Sequence, residues 1–259
     1  WSNTTALLLA QLPKTSDLCK QILTWIVDDN KELVLYIDRK LLTIEERTTI
    51  FKDIMEWHKS KNLRFADLGT SRYEELMTFG KSEDSINYLM KELESCSEID
   101  CHAVNVLFLL RYVRQEDLSL EKTRTMKKLL FAALEKFRED DEHIYIFFEV
   151  LRNPWLQTEE TADEVYDILK DTEHPNIVNH FVEYVTDAGC VEKYADIIIE
   201  KGQYIKDYGK DGYTRVLRKD NLYDAYLAMT TWCSIKKALT QLKTEFVQHL
   251  VSTTDEEKH

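Results

Sequence analysis

Glycine and proline, the residues that most often make turns, are scarce in this sequence. Only six glycines and three prolines occur among its 259 residues, whereas average usage would give about 12% for the two together. Because β-hairpins and tight turns depend on these residues, their scarcity argues against a sheet-rich fold. Hydrophobic residues make up 44% and charged residues 31% of the chain, which excludes a disordered or low-complexity protein. The composition therefore predicts an all-α globular protein.

Long hydrophobic segments and a disulfide pattern are missing as well. No apolar run approaches the length of a membrane span, and the N-terminus lacks the pattern of a secretory signal. The five cysteines are odd in number and include no CxxC motif, so we expect them to stay reduced and to pack as small buried hydrophobes. These absences predict a soluble protein of the cytoplasm or nucleus without membrane contact. The chain opens at Trp1 without a methionine, and we expect it to be a segment of a larger protein.

Motifs of catalysis and of cofactor binding are not present either. The sequence contains no nucleophile elbow, phosphate-binding loop, dinucleotide fingerprint or zincin helix. Cys96, Cys101 and His102 form the only tight group of metal-binding residue types, and their spacing fits no zinc motif. We therefore predict no catalytic, cofactor-binding or metal-binding residues, and a function other than catalysis.

What the sequence does contain is a regular series of helix starts. A serine or threonine suited to capping a helix precedes four periodic apolar segments, at Thr43, Ser82, Ser119 and Thr158, with intervals of 39, 37 and 39 residues. The residues 7 and 11 positions after each of these are all apolar, and we expect them to be buried one helical turn apart. These eight residues are Ile50, Leu89, Met126, Val165, Ile54, Leu93, Leu130 and Leu169. Trp25 and Trp57 also fall on apolar faces, and we expect them to be in the core.

A second apolar helix is predicted in the later part of each interval. Segments 101–115, 143–153 and 176–188 have this character. Pro175 fits the first turn of the last of them, and Gly189 fits a position just past its end. A hairpin of two such helices cannot cover its own apolar face and must stack on the next hairpin.

The period of about 38 residues resembles that of the HEAT and armadillo superfamily of α-solenoids. The resemblance covers residues 40–200 and is carried by the period and the apolar pattern. It implies a right-handed α-solenoid of about six stacked helical hairpins in a single domain, 1–259. The clearest repeats occupy 43–200, and C-terminal helices in 203–259 are a candidate cap. An irregular helical bundle is the alternative fold.

Charge is distributed unevenly along the chain. The net charge is −13, yet residues 139–200, the acidic segment, hold 17 acidic and 3 basic residues. The preceding basic segment, residues 111–138, holds eight basic and four acidic residues. An acidic surface repels nucleic-acid phosphates and attracts basic peptides or protein patches. A solvated surface that serves only solubility is the alternative interpretation of both segments.

Two of the predicted second helices carry polar residues along one face. Aligned in a stack, such faces would form a polar surface for a partner. The candidate partner-binding residues are Tyr145, Glu149, Arg152, Asn153, Asn179, Glu183 and Asp187. The regular Trp and Asn ladder of the nuclear-import armadillo proteins is missing, which argues against binding of classical localisation signals.

These features predict a scaffold or adaptor segment without catalytic activity, which binds a peptide or domain with a basic patch through polar ridges in residues 105–187 and an acidic surface. The first alternative is a nucleic-acid-associated helical-repeat domain that uses the basic segment. Its candidate phosphate-binding residues are Arg111, Arg114, Arg124, Lys127 and Lys128. The second alternative is an enzyme with a dispersed site, for which no residue in the sequence marks a location.

Overall fold

The computed structural model describes residues 2–13, 16–29, 31–65, 72–140, 143–172, 175–195 and 240. This part of the chain contains ten α-helices and no strand, which confirms the all-α prediction. The helices are α1 (Ser2–Gln11), α2 (Asp17–Asp29), α3 (Ile44–Lys61), α4 (Tyr73–Phe79), α5 (Glu83–Ser95), α6 (Cys101–Leu110), α7 (Leu120–Lys136), α8 (Ile144–Leu151), α9 (Glu159–Leu169) and α10 (Pro175–Asp187). None of the helices in these ranges is both long and apolar enough to cross a bilayer. The predicted C-terminal helices of 203–259 lie outside the described residues, apart from Thr240.

All four predicted first helices begin where the sequence places them. Helices α3, α5 and α9 start one residue after Thr43, Ser82 and Thr158, whose side chains each accept a hydrogen bond from the backbone N–H three residues on. Ser119 does the same immediately before α7. Thr43 and Glu46 complete a reciprocal capping box. Because these caps satisfy backbone amides that have no partner inside the helix, each start is determined by residues next to it in the sequence.

The eight apolar positions at the shared offsets are all buried, with exposures between 0% and 5%. They form one stripe on each of α3, α5, α7 and α9, as the three- and four-residue spacing predicts. Pro175 is the first residue of α10, and Gly189 follows that helix with a φ of 72°. A positive φ of this size is the left-handed conformation that ends many helices and favours glycine.

The chain divides into two compact units, residues 1–130 and 131–259, with the division inside α7. A single domain over 1–259 stays a prediction. In the first unit α3 and α5 lie side by side and parallel. Thr48 Oγ1 donates to Ser82 Oγ (2.8 Å) near the starts of these helices, and Lys59 Nζ donates to Glu92 Oε2 (2.7 Å) near their ends.

In the second unit α8 packs beside α10, and α9 also contacts α10. Both α8 and α10 are second helices of the predicted hairpins, and α3 and α5 are first helices. Like helices therefore pack on like helices within each unit, as stacked hairpins require. The right-handed solenoid and the number of its repeats stay predictions.

The second helices are more enclosed than the sequence pattern predicts. Helix α6 contacts α3, α4 and α5, and eight of its ten residues are buried. Asn105, near its middle, is 0% exposed. The Asn105 side chain accepts hydrogen bonds from the Phe65 N–H (3.1 Å) and the Tyr73 hydroxyl (3.0 Å) and donates to the Leu63 carbonyl (2.8 Å). A polar ridge beginning at residue 105 is therefore wrong, because α6 is apolar on nearly every side and must be covered.

Two tryptophans and three cysteines are more exposed than expected. Trp25 and Trp57 are 54% and 46% exposed, although apolar neighbours in the sequence predict burial. Each precedes a buried residue of its helix, and one residue turns a helix by about 100°, which moves the tryptophan off the buried stripe. Cys19 is buried as predicted, whereas the other described cysteines, Cys96, Cys101 and Cys190, are half-buried.

Leu130→Ala and Leu169→Ala should each lower the free energy of unfolding by about 2–5 kcal/mol, as truncation of buried aliphatic side chains does. Both leucines are buried, with exposures of 1% and 4%. Denaturant titration of each variant against the unmodified chain measures the loss. Leu120→Ala is the control, because Leu120 is 69% exposed and its truncation should cost less than about 0.5 kcal/mol. Equally small losses at positions 130 and 169 would contradict the buried register.

Candidate functional site

The predicted partner-binding residues that reach the surface lie on α8 and α10 of the second unit. Tyr145 and Glu149 of α8, and Arg152 directly after its last residue, are half-buried and form a single stripe at spacings of four and three residues. On α10, Glu183 is half-buried and Asp187 is exposed. His180 lies on the same face of α10. We call this surface the α8–α10 ridge; its residues are Tyr145, Glu149, Arg152, His180, Glu183 and Asp187.

Asn153 does not belong to the ridge, contrary to the sequence prediction. It is 7% exposed, because it follows Arg152 directly and so lies about 100° further around the helix axis. Its backbone helps to end α8 instead: its N–H donates to the Val150 carbonyl (3.0 Å), and its own carbonyl accepts from the Leu156 N–H (2.8 Å). The side chain of Asn179, which the sequence also places on this surface, lies outside the described residues.

Arg152 joins the two helices of the ridge. Its Nη1 donates to Glu149 Oε1 (2.5 Å) on α8, and its Nη2 donates to Glu183 Oε2 (3.1 Å) on α10. The two terminal nitrogens of the planar guanidinium each donate to a different carboxylate, so one side chain links the two helices. The pairing fixes both glutamates in place and brings together three of the predicted site residues.

Aromatic rings form the other end of the ridge. The His180 ring stacks on Phe148, with centroids 5.6 Å apart and an interplanar angle of 24°, and its centroid lies 6.4 Å from that of Tyr145. His180 Nδ1 is 3.8 Å from Glu183 Oε2. His180 is not among the residues of the predicted site, although its position three residues before Glu183 places both on one helix face.

Burial lowers the pKa of His180, and the nearby Arg152 charge lowers it further, against the opposing effect of Glu183 and Glu149. The imidazole is therefore neutral at neutral pH. With His180 neutral, the ridge has three carboxylates and one guanidinium, a net charge of −2. Such a surface attracts cationic groups and repels phosphates.

Carboxylates on α9 serve a different purpose. Asp163 accepts hydrogen bonds from Lys193 Nζ (2.7 Å) and from the Tyr194 hydroxyl (2.7 Å), and Lys193 also donates to Glu159 Oε1 (2.8 Å). The hydrogen bonds from Lys193 and Tyr194 lower the pKa of Asp163, and the hydrogen bonds that Lys193 donates to Asp163 and Glu159 raise the pKa of Lys193 to about 12. These contacts hold the 3₁₀-helix Val191–Tyr194 against α9, so we regard this part of the acidic segment as structural.

A second ionic cluster lies in the first unit. Glu92 Oε2 on α5 accepts from Lys59 Nζ on α3 and lies 2.7 Å from His102 Nε2 on α6. Burial alone would raise the pKa of Glu92, but the hydrogen bonds from Lys59 and His102 outweigh it and hold that pKa below its usual range. The Glu92 carboxylate links α3, α5 and α6, so we regard this cluster as structural.

The candidate phosphate-binding residues differ in their exposure. Arg114, Arg124 and Lys128 are exposed, whereas Arg111 and Lys127 are half-buried. Arg114 Nη1 lies 3.6 Å from Glu116 Oε1, and both side chains are about 70% exposed. An ion pair as exposed as this contributes little to stability. Arg124 and Lys128 stand one turn apart on α7, so their side chains lie on the same face of that helix.

Within the described ranges, no group of three or more His, Cys, Asp or Glu side chains is arranged to hold a metal ion. No protein-family model, curated protein or solved structure matches the chain. The function is therefore inferred from the geometry and charge of the α8–α10 ridge.

The imidazole of His180 should titrate with a midpoint below the ordinary value of 6.5, as followed by NMR over the pH range. Arg152→Met should raise this midpoint, because it removes a positive charge that opposes protonation, and Glu183→Gln should lower it. The unfolded chain binds this proton more readily than the folded chain, so stability should be lost as pH falls below 6.5 toward the folded pKa. A midpoint at or above 6.5 would contradict the buried, Arg152-facing position of the ring.

Proposed function

We propose that the chain is a non-enzymatic scaffold or adaptor segment of a larger cytoplasmic or nuclear protein, which binds a partner peptide or domain through the α8–α10 ridge. One observation carries this proposal: Arg152 links Glu149 and Glu183 across two adjacent helices. The link holds a polar surface in fixed geometry on helices whose other faces are buried. A surface that is ordered before binding loses less conformational entropy when a partner docks.

The composition of the ridge suits recognition of another protein. Tyrosine and arginine are the residue types most often found at the energetic centre of interfaces, and Tyr145 and Arg152 are both half-buried here. Because partly buried side chains of this kind are already ordered, they offer contact area to a partner with little further loss of conformational entropy. The net negative charge of the ridge and of the acidic segment around it favours a partner with a basic patch, with steering that salt weakens.

The proposed architecture is HEAT-like. Contacts between like helices connect residues 31 to 39 positions apart, as Arg152 to Glu183, Thr48 to Ser82 and Lys122 to Glu83 do. Such separations are what a repeat of about 38 residues produces when each hairpin packs on the next. We propose a right-handed solenoid of about six such hairpins, in which the ridge is one stretch of the surface lined by second helices.

The triple variant Glu149→Gln, Glu183→Gln, Asp187→Asn should release partners that the unmodified chain retains. The amides keep the size of each side chain and can still accept a hydrogen bond from Arg152, so the fold should persist while three negative charges are lost. Affinity purification from cell lysate with quantitative mass spectrometry, at low and moderate salt, measures which proteins are retained.

The matched control is Asp167→Asn, Asp171→Asn, Glu192→Gln. It removes the same charge from exposed positions of the acidic segment outside the ridge. A partner of the ridge is retained by the unmodified chain and by the control but lost with the ridge variant. Equal loss with both variants would mean that attraction is only general charge, and the proposal would fail.

A nucleic-acid-associated domain is the second candidate, favoured by the exposure of Arg124 and Lys128 one turn apart on α7. If it is correct, binding of RNA or DNA should weaken steeply between low and moderate salt, because neutralised phosphates release counterions. Arg124→Gln with Lys128→Gln should make that dependence shallower in an electrophoretic mobility assay. Lys20→Gln with Lys91→Gln, also at exposed positions of helices, is the control for the loss of two charges.

A further inference from the structure

Arg152 and His180 lie beside the same oxygen atom of the α8–α10 ridge. Glu183 Oε2 accepts a hydrogen bond from Arg152 Nη2 at 3.1 Å, and His180 Nδ1 lies 3.8 Å from that oxygen. The longer distance exceeds that of a hydrogen bond, so Arg152 holds Glu183 while the imidazole is neutral. We propose that protonation of His180 transfers Glu183 from Arg152 to His180, which makes the ridge a pH-sensitive surface.

Protonation changes what the His180 ring offers to Glu183. An imidazolium is positively charged and donates from both ring nitrogens, whereas the neutral ring donates from one. To accept a charge-assisted hydrogen bond from Nδ1, the carboxylate must approach the ring by about 1 Å, which draws Oε2 away from Arg152 Nη2. Repulsion between the imidazolium and the guanidinium favours the same movement. Arg152 keeps its hydrogen bond to Glu149 Oε1 (2.5 Å), so its charge stays paired.

The surroundings of the His180 ring determine the pH at which this rearrangement occurs. Burial lowers the pKa of His180, Glu183 and Glu149 raise it, and Arg152 lowers it. Among the described residues, α9 and the 3₁₀-helix Val191–Tyr194 also pack on α10, and they contribute none of the charges that shift this pKa. The ring of the folded chain therefore becomes protonated only as the pH falls below the ordinary value of 6.5.

The stacking of His180 on Phe148 is compatible with both protonation states. The two ring centroids are 5.6 Å apart, with an interplanar angle of 24°. An aromatic face attracts a cation, so the charged imidazole can keep this contact. We therefore expect protonation to move the Glu183 carboxylate while the His180 ring stays in place.

The rearrangement would change the ridge in two respects. Its net charge would go from −2 to −1, and the contact between Arg152 and Glu183 that holds its geometry would be lost. Both changes weaken the attraction and the ordered docking of a basic partner. This consequence for partners rests on the proposed function, whereas the rearrangement itself does not.

NMR of the full chain tests the rearrangement, from about pH 8 down to the pH at which circular dichroism reports unfolding. The imidazole resonances of His180 and the Nε–Hε resonance of Arg152, assigned by its loss in Arg152→Met, should change with one common midpoint. His180→Gln, which stays neutral, should abolish the change at Arg152. His143→Gln is the matched control, because the half-buried His143 pairs with Asp140 (3.0 Å) just before α8, and it should leave the change intact.

An Arg152 resonance that stays unchanged while His180 titrates would overturn the inference, as would unfolding of the chain before His180 titrates or an equal effect of both histidine variants. Partners that the ridge retains at neutral pH should be released below the His180 midpoint, and His180→Gln should keep them bound. Unchanged retention in the unmodified chain would overturn pH control of binding. If the resonances shift together but the Glu149→Gln, Glu183→Gln, Asp187→Asn variant loses no partner, the rearrangement stands and the proposed function fails.

Discussion

Enclosure of the second helices is the constraint on which the rest of each unit depends. Helix α6 is buried at eight of its ten residues and α8 at six of its eight. Because these helices are apolar on nearly every side, neighbouring helices must cover them, and only a narrow stripe is left for solvent. On α8 that stripe consists of Tyr145, Glu149 and Arg152. Side chains on such a stripe have little freedom, which is why a few polar residues can form an ordered surface.

Features determined by neighbouring residues were predictable from the sequence. The caps at Thr43, Ser82, Ser119 and Thr158 act within one helical turn, and the offsets counted from them find the buried stripe on each first helix. The width of a buried stripe cannot be predicted in this way, because it depends on how many neighbouring helices enclose the helix. Asn153 and Trp57 depart from the predicted pattern in opposite directions. Asn153 is buried although it follows a surface residue, and Trp57 is exposed although it precedes a buried one.

The pairing within the candidate site could not be predicted in the same way. Sequence periodicity places Glu149, Arg152, Glu183 and Asp187 on polar faces, but it does not say that Arg152 reaches a glutamate 31 residues further on. That contact exists only because α8 packs beside α10. Asp163 illustrates the converse case. In the sequence it is one of many acidic residues on a first helix, yet its contacts with Lys193 and Tyr194 give it a structural role.

The acidic segment could act on a partner in two ways, by attracting it from a distance and by recognising it at contact. The pairings of individual carboxylates distinguish these two effects. All of its carboxylates contribute to the field that a distant partner experiences, whether or not each one is paired, so attraction at low salt reflects the whole segment. Recognition at contact depends only on carboxylates that a partner can reach and rearrange. Asp163 and Glu159 are committed to Lys193, whereas Glu149 and Glu183 share an arginine that is itself partly exposed. Under the proposed function, long-range attraction would arise from the segment as a whole, and specificity from the carboxylates on α8 and α10 that a partner can contact.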